Sequence, residues 1–90
     1  MYRIDVTKKA DKGITKLYMS EPQAYKKLEK LIQELEEHPE TGTGRPKPLG
    51  GDKAGQWSRR ITEKHRIIYR IVEAEKTVIV LSVYGHYDDK

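Results

Sequence analysis

The sequence predicts an α+β domain: an N-terminal strand and two helices, then a mainly antiparallel sheet ending in a three-stranded meander. Three observations carry this. Tyr2, Ile4 and Val6 alternate with Arg3 and Asp5, the period of a half-buried strand. Ala24, Leu28, Leu31, Ile32 and Leu35 recur at helical spacing. From Gln56 onward the alternation returns in three runs, whose connections are too short for parallel crossovers, so the runs must pair antiparallel beneath the helices.

Each element has local support. Thr7 can cap a first helix carrying Ala10, Ile14, Leu17 and Tyr18, which Gly13 should shorten because glycine costs about 1 kcal/mol relative to alanine inside a helix. Ser20 is the expected cap of the second helix, with Pro22 in the first turn and Gln23 in the capping-box position, and the helix should end near Glu37 or His38, before Pro39. Thr41 to Gly55 holds five glycines, Pro46 and Pro48, which predicts a long irregular surface loop. Beyond it, Trp57, Arg59 and Ile61 share one face of a strand. Ile67, Tyr69 and Ile71 do so in the next, and Val78 to Tyr84 is apolar almost throughout. Hairpins are expected near Thr62 to Lys64 and Glu73 to Lys76.

Length and composition bound the function. Ninety residues make one domain, spanning 1–90, with a small core drawn from 19 Leu, Ile and Val side chains and no Phe. No apolar run approaches the roughly 18 residues of a membrane span, and the N-terminus lacks an export signal, so a soluble, cytoplasmic chain with no membrane partner is expected. Without cysteine there is no disulfide, thiol nucleophile or thiolate zinc site, and His38, His65 and His86 lack ligand spacing, so no metal or other cofactor is expected.

The net charge of +4 is concentrated in one stretch. Between Arg45 and Arg70 stand eight bases (Arg45, Lys47, Lys53, Arg59, Arg60, Lys64, Arg66 and Arg70) against Asp52 and Glu63. Such focusing attracts polyanions, although a solvated, salt-bridged face has the same composition. Arg59 and Arg60 should point to opposite faces of one strand, while Arg66, Ile68 and Arg70 share a face of the next, so an arginine cluster on the open side of the sheet is expected. Guanidinium suits phosphate because its planar donors bind oxygen pairs and stay charged. His86, just beyond the last strand, can exchange a proton near neutrality, and Tyr84 and Tyr87 can pack the sheet edge or stack on bases. His65 can satisfy the turn before its strand, and His38 can favour a helix end.

The strings Gly44-Arg45-Pro46-Lys47-Pro48-Leu49, Gly55-Gln56-Trp57-Ser58-Arg59-Arg60-Ile61 and His65-Arg66-Ile67-Ile68-Tyr69, with His86-Tyr87, resemble the YoeB/Txe toxins of the RelE superfamily. The resemblance runs through nearly the whole chain and implies a RelE-like α+β fold. It also implies ribosome-dependent mRNA cleavage, silenced by a cognate YefM/Phd-type antitoxin, and often a homodimer. In that family the RNA 2′-hydroxyl attacks the adjacent phosphate, leaving a 2′,3′-cyclic phosphate and a 5′-hydroxyl. By matching position, Arg66 would stabilise the pentacoordinate phosphate, His86 would protonate the leaving oxygen, and Tyr87 would help orient that step. Arg59 and Arg60 would contact substrate or ribosomal RNA phosphates, as would Arg45, Lys53 and Arg70.

Lys47 departs from the family pattern, which places a glutamate general base there; a protonated lysine cannot accept the proton. Gly50 and the added Asp88, Asp89 and Lys90 are further departures. The chain is thus expected to cut slowly or not at all unless another carboxylate, Glu63 or Asp52, substitutes, and Lys47 is either a natural or a deliberate change. Two other classes stay open: a non-catalytic ribosome or RNA binder, and a ParE-like gyrase inhibitor, which the terminal His-Tyr pair disfavours.

Overall fold

The computed structural model describes residues 1–85, with the elements β1 (Arg3–Val6), α1 (Lys8–Ser20), α2 (Pro22–Glu37), β2 (Lys47–Pro48), β3 (Gln56–Arg60), β4 (Arg66–Val72) and β5 (Thr77–Ser82). The strands form one five-stranded sheet in the order β1-β5-β4-β3-β2. β3, β4 and β5 are the expected antiparallel meander, whereas β1 crosses over to join β5 in parallel, Arg3 beside Thr77 and Val6 beside Val80. The two helices supply the crossover that a parallel pair requires.

Thr7 caps α1 as expected, its hydroxyl accepting from the Ala10 N–H at 3.1 Å and donating to the Leu81 carbonyl at 3.1 Å, so the helix start is tied to β5. α1 is not short, however: Gly13 is accommodated because it is a point of close approach. A Cβ there would lie 2.7 Å from Val83 Cγ2 and 3.2 Å from Tyr84 Cβ. Helix propensity yields to packing at this position.

Ser20 does not cap α2. It is the last residue of α1, where its hydroxyl donates to the Lys16 carbonyl at 2.7 Å, and Glu21 alone separates the helices. The cause is Pro22, whose ring disfavours the helical region for the residue before it; Glu21 sits at φ −142°, ψ 72°, and Pro22 starts α2. α2 ends at Glu37, as its sequence requires, and buries Ala24, Leu28, Leu31 and Leu35.

The core lies between this helix pair and one face of the sheet, where Leu17, Leu28, Leu31 and Leu35 meet Ile67, Tyr69, Val78 and Val80. Each such side chain contributes about 1.5–3 kcal/mol on burial, before the entropy of ordering is subtracted. The Thr41–Gly55 stretch is less irregular than expected. Lys47 and Pro48 form an edge strand on β3, and Gly51–Lys53 make one 3₁₀ turn. Pro48 is tolerated because edge strands need no inward N–H there.

Candidate functional site

Strand register assigns the basic side chains to faces. Lys47 pairs with Ser58, and Ser58 with Ile68; Arg60 pairs with Arg66, and Gln56 with Arg70. Directly opposed residues share a face, and alternation puts all of these on the side away from the core residues Ile67 and Tyr69. Lys47, Arg60, Arg66 and Arg70 therefore lie on one open face across three adjacent strands. Neighbouring strands being about 4.8 Å apart, Lys47 stands about 10 Å across the sheet from the β4 row. Ser58 and Ile68, both buried, form the floor between the charges. Lys47 and Arg70 are exposed; Arg60 and Arg66 are half-buried, and Arg66 Nη1 donates to the Thr62 carbonyl at 3.4 Å.

The loop before β2 reaches this face through two left-handed residues. Gly44 has φ +87°, and a Cβ there would stand 2.8 Å from the Arg60 carbonyl oxygen, so only glycine allows its own carbonyl to accept the Arg60 N–H at 2.6 Å. Arg45 follows at φ +53° with its side chain exposed. Lys53 is half-buried in the 3₁₀ turn.

Arg59, expected on RNA phosphates, is not part of the open face. It is fully buried on the core side of β3, and its five N–H donors meet five protein acceptors. Nε donates to the Tyr69 hydroxyl at 3.1 Å; Nη1 donates to Glu34 Oε1 at 3.0 Å and the Thr43 carbonyl at 3.3 Å; Nη2 donates to the carbonyls of His38 and, at 2.7 Å, Thr41. A buried guanidinium requires such saturation, and here it fixes the path of residues 38–43. The Thr43 hydrogen bond, helped by Arg59, holds the Glu34 carboxyl below the usual range against the opposing effect of desolvation. Burial pushes the Tyr69 phenol up. Period-two alternation already placed Arg59 beside Trp57 and Ile61; that signal identifies a core arginine once the helix-covered face is known.

At the opposite end of β4, Arg66 is tied to the chain that follows β5. Its N–H donates to the Gly85 carbonyl at 3.0 Å, and the Gly85 N–H donates to His65 Nδ1 at 3.0 Å. His65 is buried, and its Nε2 bonds Glu21 Oε2 at 2.8 Å. The His65 hydrogen bond keeps the Glu21 carboxyl below its usual value, outweighing desolvation. His65 and Glu21 are residues whose importance sequence alone did not reveal; a histidine opening a strand carries no long-range signal. His86 and Tyr87 lie outside the described residues. His38 is exposed at the C-terminal end of α2 and contributes its carbonyl to Arg59.

A separate open groove of about 490 Å³ runs along α2, lined by Lys26, Lys27, Lys30, Leu31, Glu34 and Thr43. It shares no lining residue with the open sheet face. Among the described residues no cluster of histidines and carboxylates has metal-binding geometry, and no helix is long and apolar enough to cross a membrane.

A model of the YoeB-like toxin of bacterial type II toxin–antitoxin systems matches residues 7–87. Toxin YoeB of Streptomyces coelicolor is 40% identical over 68 residues, covering 76% of this chain and 79% of that protein. Toxin YoeB of Mycobacterium bovis is 41% identical over 54 residues, or 60% of this chain; the match spans 64% of the length of that relative. Among solved structures, a YoeB/ParE toxin from Agrobacterium tumefaciens superposes with a TM-score of 0.89 at 32% identity, covering 94% of this chain and 99% of that one. The toxin in a YoeB–YefM complex from Staphylococcus aureus has the same fold, with a TM-score of 0.82 at 23% identity over 97% of this chain and 99% of that one. With the fold, the open basic face and these matches in agreement, the chain belongs to the YoeB-like toxin family of bacterial type II toxin–antitoxin systems.

Proposed function

We propose that this protein is a ribosome-dependent mRNA endoribonuclease whose cutting is slowed by Lys47, working without a metal or other cofactor in the cytoplasm. The observation that supports it best is the row of Lys47, Arg60, Arg66 and Arg70 on one open sheet face, a surface of fixed positive charge wide enough for a ribose-phosphate segment. The 2′-hydroxyl oxygen attacks the adjacent phosphorus and gives up its proton to a base. The bond from phosphorus to the 5′-oxygen breaks, and His86 supplies the proton that makes the 5′-hydroxyl. Arg66 stabilises the charge on the pentacoordinate phosphate, and Tyr87 orients His86. Arg45, Lys53, Arg60 and Arg70 hold flanking or ribosomal phosphates, which fix register without reading sequence. Arg59 holds the scaffold.

Lys47 occupies the place of the base and carries the wrong charge for that task. Its exposure on the same face favours a second reading, a protein that binds ribosomes and RNA without cutting. The basic face also suits an acidic partner segment, the YefM-type antitoxin, which would compete with RNA for it. The YoeB–YefM complex and a YoeB dimer from S. aureus are solved examples on this fold, and both assemblies are proposed here.

Primer extension on translating ribosomes, comparing this chain with Lys47→Glu and His86→Ala, decides between the readings. Cleavage that rises in Lys47→Glu and disappears in His86→Ala supports the nuclease. Ribosome binding by all three without any cut supports the binder.

A further inference from the structure

We propose that His65 is a positioning residue, which fixes Gly85, and so the start of the segment bearing His86, beside the backbone of Arg66. Its catalytic consequence rests on the cleavage reading above; the anchoring itself does not.

Two hydrogen bonds define the ring's chemistry. Nδ1 accepts the Gly85 N–H at 3.0 Å, so it carries no proton; Nε2 therefore carries the proton and donates to the Glu21 carboxylate at 2.8 Å. The ring is neutral and oriented from both ends. The ring itself is buried, with its side chain 3% exposed, whereas Glu21 is 27% exposed and meets it from the surface side. The Gly85 carbonyl accepts from the Arg66 N–H, which makes His65, Gly85 and Arg66 a closed backbone-to-side-chain link. Gly85 adopts φ +79°, a conformation that needs a local restraint to be held uniquely.

The surroundings supply that restraint from the helix side as well. The Tyr84 ring packs on His65 with centroids 4.5 Å apart, and Lys16 of α1 lies over Tyr84 at 5.0 Å. Glu21, at the break between the helices, is also 3.7 Å from Lys64. The helix junction thus sets Glu21, Glu21 sets the imidazole, and the imidazole sets the backbone leaving β5. His86 is the next residue after Gly85, and a general acid must be placed to within about 1 Å, misplacement by that distance costing about 10²-fold in rate.

The geometry distinguishes two substitutions. In His65→Asn the amide oxygen can occupy the Nδ1 position and still accept from Gly85, losing Glu21. In His65→Gln the longer amide can still donate to Glu21 but leaves the Gly85 N–H without its acceptor. The unaltered chain is measured first by ¹⁵N NMR, which should show His65 protonated at Nε2 alone; a proton on Nδ1 overturns the proposal without any variant. Amide exchange should then be slow at Gly85 in the parent and in His65→Asn, and faster by about tenfold or more in His65→Gln. Equal Gly85 protection in His65→Gln and the parent also overturns it.

Cleavage is measured in this chain and in Lys47→Glu. His65→Gln should lower kcat by about 10²-fold with KM held within about twofold, while His65→Asn keeps kcat near the parent's despite lower stability. An unchanged kcat in His65→Gln with Gly85 freed overturns the positioning role. If neither parent cuts RNA, the cleavage reading fails alone, and the ¹⁵N and exchange measurements decide the role of His65.

Discussion

The Tyr69 hydroxyl accepts a hydrogen bond from Arg59 Nε at 3.1 Å and donates one to the Pro39 carbonyl at 2.7 Å, so the central strand holds both the buried cation and the end of α2. The loop that leads from α2 to Arg45 and Lys47 is therefore hung from the core. Breaking the pair should affect folding before it affects RNA affinity.

Arg59→Ala is expected to destabilise the fold by about 3–5 kcal/mol, because it strands the Glu34 carboxylate, the Tyr69 hydroxyl and three loop carbonyls without their donor. Lysine should restore little, having three donors and no planar fork. Urea unfolding of both variants measures this. A midpoint shift within error for Arg59→Ala would show that the loop is held by other contacts.

Lys47→Glu is expected to raise ribosome-dependent cleavage by about 10²- to 10⁴-fold, the usual range for a positioned general base. Single-turnover cleavage of a defined mRNA on programmed ribosomes is the measurement. No increase would move the base to another residue or remove the reaction altogether.

Arg60→Ala and Arg70→Ala should each weaken ribosome binding and reduce the slope of log affinity against log salt by about 0.7, the value for one single-strand phosphate contact. Filter binding between low and moderate salt tests this. An unaltered slope would place these arginines away from phosphate.

Gly13→Ala is expected to lower stability by about 1–2 kcal/mol, although alanine is the better helix former. The new methyl would meet Val83 Cγ2 at 2.7 Å, and Val83 is fully buried and stiff at its branched Cβ. Thermal unfolding followed by circular dichroism reads the sign. A gain in Tm would mean that α1 shifts freely on β5.

Stability should fall in acid. The folded carboxyls of Glu21 and Glu34 are both held below the ordinary value of 4.5. A depressed folded pKa contributes stability that is complete above the unfolded pKa and is lost as pH drops through the folded one. Urea midpoints should therefore be flat in these two contributions between pH 7 and 5 and decline below about 4.5, where titration begins. Glu34→Gln should flatten the decline; an undiminished slope in that variant would assign the acid sensitivity elsewhere.

Much of this architecture was legible because periodicity reports burial directly. The stripe of Leu28, Leu31 and Leu35 and the alternation through Ile67 and Tyr69 both face the core as their spacing requires. The parallel seat of β1 was not legible, since a strand's partner depends on where the helices return it. Ser20 failed as a cap because the restriction Pro22 imposes on Glu21 outranks capping preference. At the site, alternation put Arg66 and Arg70 on one face and set Arg59 and Arg60 on opposite faces; register then chose Arg60 for the open face and added Lys47. Arg59 misled because charge suggests solvent, while its neighbours Trp57 and Ile61 share its inward face. His65 went unread because its meaning lies in contacts 44 and 20 residues away.

The parallel seam of β1 on β5 joins residue 3 to residue 77, so β1 finds its partner strand only after more than seventy further residues have been made. Until then α1 lacks the surface to which Thr7 fastens it, and the central layer lacks one wall. Such non-local pairing must await closure of a long loop, which delays structure formation during synthesis. A nascent copy of this protein thus keeps an open sheet edge and an unfastened first helix until β5 has emerged.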